Sequence, residues 1–143
     1  MQNKFNHLND QGQVHMINVN NKGNSIRIAK ASATVKMKRN TIDLIKKNNI
    51  PKGNIITTAQ IAGIMAAKKT HELIPLCHPL GLSGIELDFK FDEKNCSIIL
   101  TSMCEVTNKT GVEMEALTAV SIAALTIYDM CKAVDQTMTI DNI

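Results

Sequence analysis

From Val112 to Ala133 the chain contains neither proline nor glycine, and its apolar residues point almost all the way round a helix. Into this run are set Glu113, Glu115 and Asp129, with Lys132 at the end. Burying charge is costly, so carboxylates and a lysine on such a helix point to chemistry. A helix apolar on nearly every side is expected inside an assembly. Glu115 and Asp129 are 129 − 115 = 14 residues apart, about 21 Å at ~1.5 Å rise per residue. One small ligand cannot touch both within a single chain. At ~100° per residue the two project from nearly the same face, so a second copy of the helix, antiparallel across a two-fold axis, would bring them together. The expectation is a site shared between subunits.

A chain of 143 residues supports one core and not two large ones, so residues 1–143 are expected to form a single domain with a polar N-terminal segment over about residues 1–25. Thr118, Ser121 and Thr126 interrupt the longest apolar stretch, and no membrane span is expected. The N-terminus lacks an apolar run of signal-peptide length, which with four cysteines in no CxxC spacing argues for a reducing, cytoplasmic setting. A net charge of +3 suits an anionic small ligand and falls short of a nucleic-acid-binding surface.

Ala29, Ala31, Ala33, Val35 and Met37 alternate with polar residues and predict a strand. Asn40 is the expected cap of a short helix ending at Asn48 and Asn49, before Pro51 and Gly53. A second helix is predicted from about Ile55 to Lys69, its Ala59, Ala62, Gly63, Ala66 and Ala67 small enough for close backbone approach. Ile85, Leu87, Phe89 and Phe91 alternate with charged residues, and across the turn Asp92-Glu93-Lys94-Asn95 a partner strand runs from Cys96 to about Val106. The long helix follows, then a β-branched strand from Thr137 to Ile140. This order predicts an α+β, ferredoxin-like fold, a split βαβ antiparallel sheet packed against helices.

A second chemical cluster lies in Leu73-Ile74-Pro75-Leu76-Cys77-His78-Pro79-Leu80, where two prolines hold Cys77 and His78 in a stiff extended loop. Lys52, between Pro51 and Gly53, can reach a phosphate or simply be solvated. Taken alone, the Cys-His pair is most often packing. Zinc is its weakest reading, because the other cysteines and histidines sit on predicted strands, a helix and a polar tail. Glu113 and Glu115 could be an acidic first turn, and Asp129 with Lys132 an i,i+3 ion pair.

Three long motifs tip the balance. The Leu73–Leu80 segment, Lys109-Thr110-Gly111-Val112-Glu113-Met114-Glu115-Ala116-Leu117-Thr118-Ala119, and Leu125-Thr126-Ile127-Tyr128-Asp129-Met130-Cys131-Lys132-Ala133 together resemble the MoaC family, the cyclic pyranopterin monophosphate synthases of molybdenum cofactor biosynthesis. The resemblance spans about residues 13 to 143 and implies a homohexamer, a trimer of dimers, with sites at a subunit interface. It implies a lyase that converts (8S)-3′,8-cyclo-7,8-dihydroguanosine 5′-triphosphate to cyclic pyranopterin monophosphate and pyrophosphate. That rearrangement is non-redox and moves protons at every step, so it needs acids, bases and cations for the triphosphate. No resident cofactor or metal is implied, and Mg²⁺ assistance has no signature in the sequence.

By the same resemblance Asp129 falls at the active-site aspartate, with Lys132 and Lys52 as site lysines; Asp129 and Lys132 are expected to transfer protons and Lys52 to hold phosphate. Leu76, Cys77, His78, Glu113, Met114 and Glu115 fall at substrate-binding segments, and Arg27 at a phosphate contact. Asn18 stands where the family's N-terminal motif commonly has aspartate, so no carboxylate chemistry is expected there. A Gly- and Lys-rich closing loop, which the resemblance places after the last residue of this sequence, would add phosphate contacts. Two rivals remain. An RNA-binding module of this fold needs stacking aromatics, and the chain has no Trp, one Tyr and three Phe. A regulatory nucleotide-binding oligomer would bind the triphosphate without releasing pyrophosphate.

Overall fold

The computed structural model describes residues 6–143; the first five residues of the expected polar N-terminal segment lie outside the described residues. Eight elements follow in the order β1 (Ser25–Lys36), α1 (Arg39–Lys46), α2 (Ile55–Lys68), α3 (Thr70–Leu73), β2 (Gly84–Asp92), β3 (Ser97–Asn108), α4 (Glu113–Cys131) and β4 (Thr139–Asp141). The strands form one antiparallel sheet in the order β2-β3-β1-β4. Each βαβ unit is thus split by a strand of the other, and the fold is ferredoxin-like.

The hairpin alternation holds through β2 and β3, whose register pairs Leu87 with Ser102 and Phe89 with Leu100. The inner face of the sheet carries Ala33, Val35, Ile98, Leu100 and Cys104, all fully buried beneath α2 and α4. The outer face carries Lys30, Ser32, Glu86, Asp88, Thr101 and Met103 around a shallow groove of about 330 Å³ that contains none of the candidate site residues. β1 begins four residues earlier than its alternation suggested, because Ile26 and Ile28 continue the ladder with β3 while facing outward.

Helix α4 has the length and composition of a membrane span but is the core helix of this fold, pinned between α2 and the sheet. Its alanines are therefore explained within one chain. Ala116, Ala119, Ala123 and Ala124 are fully buried, and α2 reaches them at Gly63. A Cβ at Gly63 would lie 2.6 Å from Leu87 Cδ2, 2.9 Å from the Ala119 carbonyl oxygen and 3.3 Å from Ala123 Cβ. The leucine tip can rotate away; the backbone oxygen can move only if the helices separate. Gly63→Ala is therefore expected to lower stability by about 1–2 kcal/mol net, overpacking outweighing the gain in helix propensity. Urea unfolding at fixed protein concentration checks it, and an unchanged midpoint would mean that α2 and α4 part freely.

Two local expectations are corrected. Asn40 does not cap α1: it lies inside the helix, whose N-cap position is Lys38 and carries no side-chain cap. The start of α1 is bound instead by Asp135, far along the chain, which accepts from Lys38 N at 2.8 Å and from the Thr41 hydroxyl at 3.0 Å. The last strand is Thr139–Asp141 and not Thr137–Ile140, because Thr137 N and its hydroxyl both donate to Asp135 Oδ1. Helix α2 is capped by Asn54, whose side chain accepts from Thr57 N at 2.9 Å.

Candidate active site

The candidate residues gather into two clusters at opposite ends of α4. At its N-terminal end, a cavity of about 240 Å³ is lined by Leu76, Cys77 and His78 from the proline-bounded loop and by Glu113, Met114 and Glu115 from the first helical turn. The short turn α3, which strand and helix periodicity did not announce, carries the chain from α2 into that loop. At the helix entry the Glu113 carboxylate folds back over Gly111 into the space a Cβ would take there. Glu115 is 4% exposed, and burial pushes its carboxyl above the ordinary range, with added repulsion from Glu113; its own amide and His71 act in the opposite direction. A carboxyl so placed is easier to protonate than an exposed one, which brings it closer to a proton-donating role.

Cys77 is pushed upward by burial and by the charges of Glu115 and Glu113, and Cys104 behind it, desolvated and also facing Glu115, rises to about 11. Both are held as neutral thiols, which suits packing or ligand contact and not nucleophilic attack. His78 Nε2 lies 2.7 Å from the carbonyl oxygen of Ile17. A carbonyl only accepts, so Nε2 carries the proton of that bond and Nδ1 is the ring nitrogen left over for a ligand.

That bond exposes a part of the site without helix or strand periodicity. Residues of the polar N-terminal segment fold across the cavity, where His7, Ile17, Val19 and Lys22 join its lining. Lys109 Nζ donates to the Asn20 carbonyl at 3.1 Å and holds the segment down. Asn18 uses its side chain on the local backbone, accepting from Asn20 N at 2.9 Å. Arg27 is at this end as well: β1 pairs it with Val106, and its guanidinium donates to the carbonyls of Asn108 and Lys109 at 3.3 and 3.4 Å.

At the C-terminal end of α4 stand Lys52, Asp129 and Lys132. Lys132 Nζ is 2.7 Å from Asp129 Oδ1, and Lys52 Nζ is 3.6 Å from Asp129 Oδ2 and donates to the Asp129 carbonyl at 3.0 Å. The hydrogen bond and charge of Lys132, aided by Lys52, hold the Asp129 carboxyl below its usual range, and Asp129 in turn holds Lys132 above its own. This cluster opens onto a wide surface hollow of about 500 Å³ lined by Lys52, Tyr128, Lys132, Ala133 and Gln136. No lining residue is common to the two cavities. Arg27 lines neither cavity; its guanidinium is bound to the backbone just before the N-terminal end of α4, away from Lys52. Among the described residues no three His, Cys, Asp or Glu side chains gather as a metal site.

The family model "MoaC family" matches residues 16–143. A protein of Natranaerobius thermophilus named cyclic pyranopterin monophosphate synthase is 50% identical over 143 residues, covering 100% of this chain and 90% of the relative. Proteins of the same name from Syntrophomonas wolfei and Clostridium botulinum are 55% identical over 139 residues and 52% identical over 143, covering 97% and 100% of this chain and 88% and 90% of the relatives.

Proposed function

The chain belongs to the MoaC family, and on that premise we propose that its two clusters are the halves of one cyclic pyranopterin monophosphate synthase site, acting on the cyclised GTP-derived triphosphate in molybdenum cofactor biosynthesis. The enzyme is a lyase. The observation that carries the reading is the convergence of the two motif segments around Cys77 and Glu113 on one cavity, while the third places Asp129 between two lysines.

The division follows from charge. The N-terminal cavity offers the buried Glu115 carboxyl and the second ring nitrogen of His78, which suit the amide, amine and hydroxyl groups of the base and ribose. Lys52 holds phosphate, as does Arg27. Lys132 and Asp129 form the proton-transfer pair. As they stand in one exposed chain they are badly tuned for it, since each stabilises the other's charged form. Removing water from the pair would drive Lys132 down and Asp129 up, toward transfer. A subunit interface supplies that desolvation, which supports a homo-oligomer, a hexamer built as a trimer of dimers, with sites between chains. The rearrangement changes no oxidation state, so we assign it no cofactor. A reducing cytoplasm suits the free thiols of Cys77 and Cys131.

The test supplies cyclised triphosphate and measures pyrophosphate and cyclic pyranopterin monophosphate together. Binding without pyrophosphate release would leave a regulatory nucleotide-binding protein instead. Sharing is tested by mixing two inactive chains, Glu115→Ala and Asp129→Ala. In a randomly mixed dimer population half the dimers are mixed and each holds one intact site, so activity should return to roughly a quarter of wild type. No recovery in verified mixed oligomers would count against a shared site.

A further inference from the structure

Lys22 is the one lysine or arginine among the described residues that lines the cavity at the N-terminal end of α4, where Glu113 and Glu115 also stand. The family resemblance gives it no role. Three bonds fix where its backbone sits. Its amide donates to the Val19 carbonyl at 3.0 Å, closing a turn over Asn20 and Asn21. Asn20 N donates to the Asn18 side chain at 2.9 Å, and the Asn20 carbonyl accepts from Lys109 Nζ at 3.1 Å. The residues at both ends of that turn, Val19 and Lys22, line the cavity. The neighbouring cations are already engaged, Lys109 on the turn and Arg27 on the carbonyls of Asn108 and Lys109. Lys22 has no ion-pair partner among the described residues.

One cation in a small cavity that also holds two carboxylates decides where an anion can lie within it. A phosphate set against Glu113 and Glu115 is repelled, whereas one at Lys22 gains a charge-assisted hydrogen bond. The proposed reaction says which phosphate that is. The substrate carries three phosphates and the product one, so the α-phosphorus stays with the base and ribose. A substrate hydroxyl oxygen forms a bond to the α-phosphorus, and the bond from that phosphorus to the oxygen bridging to the β-phosphorus breaks. Pyrophosphate departs with that oxygen, and the hydroxyl proton passes to the proton-transfer pair. The retained group needs a contact that outlasts the bond breaking, beside the base and apart from the contacts that let pyrophosphate go.

We propose that Lys22 holds the α-phosphate, the one phosphate kept in the product, and leaves the β- and γ-phosphates to Lys52. This rests on the reading above, in which base and ribose occupy the N-terminal cavity. Lys22 lines that cavity, whereas Lys52 opens onto the other. The phosphate contacts thereby sort by fate: a lysine beside the base keeps its phosphate through the reaction, and a lysine of the second cluster loses its own with the pyrophosphate.

The experiment titrates cyclic pyranopterin monophosphate and inorganic pyrophosphate, separately and by calorimetry, into the full chain. Lys22→Gln should bind the cyclic monophosphate about 10- to 100-fold more weakly than wild type, the worth of a hydrogen bond to a charged group, with its affinity for pyrophosphate unchanged. Lys52→Ala should do the reverse. Lys22→Arg keeps the charge and should keep most of the product affinity. Lys22 lies outside every helix and strand, and circular dichroism with sedimentation verifies that each variant folds and assembles as wild type does. A Lys22→Gln chain that binds the cyclic monophosphate as tightly as wild type, or that loses affinity for both molecules alike, overturns the assignment. If wild type still releases pyrophosphate from the cyclised triphosphate, that result discards Lys22 alone and keeps the proposed function. A wild type that releases none removes both.

Discussion

Lys132→Arg is expected to bind substrate nearly as well as wild type and to turn it over at least about 100-fold more slowly, within the range that a lost general acid or base produces. Arginine keeps the positive charge 2.7 Å from Asp129 Oδ1 but holds its proton at any accessible pH. A purely electrostatic lysine would survive the exchange with most of its activity; a proton donor would not. Lys52→Ala should divide the effects the other way. Lys52 is tied to the Asp129 carbonyl and stands at 3.6 Å from its carboxylate, so it can reach phosphate without sharing the proton, and its loss should weaken binding more than turnover. Single-turnover rates measured beside a substrate-binding titration separate the two. A Lys132→Arg chain with near-normal turnover would reduce Lys132 to charge alone and remove the proton-transfer pair.

What could be read in the chain beforehand depended on how local its physical cause is. The β2–β3 hairpin and the spans of α2 and α4 come from periodicity within each segment, and the structure keeps them with shifts of a few residues. The helix geometry relating Glu115 to Asp129 was legible too, because angle and rise need only residue numbers. Their unequal burial was not. Glu115 is 4% exposed, roofed by a loop some forty residues earlier and by the N-terminal segment, whereas the Asp129 side chain stays 59% exposed beside its two lysines. The alanines of α4 illustrate the same limit, since small residues specify a close neighbour without saying whether it belongs to the same chain. Gly63 answers that for Ala119 and Ala123. The contribution of Ile17 and Lys22 to the cavity escaped periodicity because that segment has neither helix nor strand pattern; its place is fixed by bonds to His78 and Lys109, sixty-one and eighty-nine positions away.

Asp135 is the extreme case of a cause remote in sequence, and its replacement should have the largest effect on stability. It is 2% exposed, yet it accepts four hydrogen bonds: Lys38 N and the Thr41 hydroxyl on one oxygen, Thr137 N and the Thr137 hydroxyl on the other. Burial alone would raise its carboxyl, but these donors outweigh it and hold the group at about 2. One carboxylate thereby joins the start of α1 to the turn that leads into β4. Asparagine there keeps the volume but turns an amide NH₂ toward two of the donors, leaving buried groups opposed. Asp135→Asn should cost roughly 2–4 kcal/mol. The pH dependence gives the sharper signature. Because the folded value lies below the unfolded one, ionised Asp135 stabilises the fold above pH ~4, and that contribution drains away as the pH falls from about 4 to 2. Wild type should therefore lose about 2 kcal/mol more than Asp135→Asn across that interval, and the two stability curves should converge toward acid. Urea unfolding from pH 6 to 2 at fixed protein concentration measures the gap. Curves that stay parallel would show that Asp135 acts through packing alone, with its charge contributing nothing to the join.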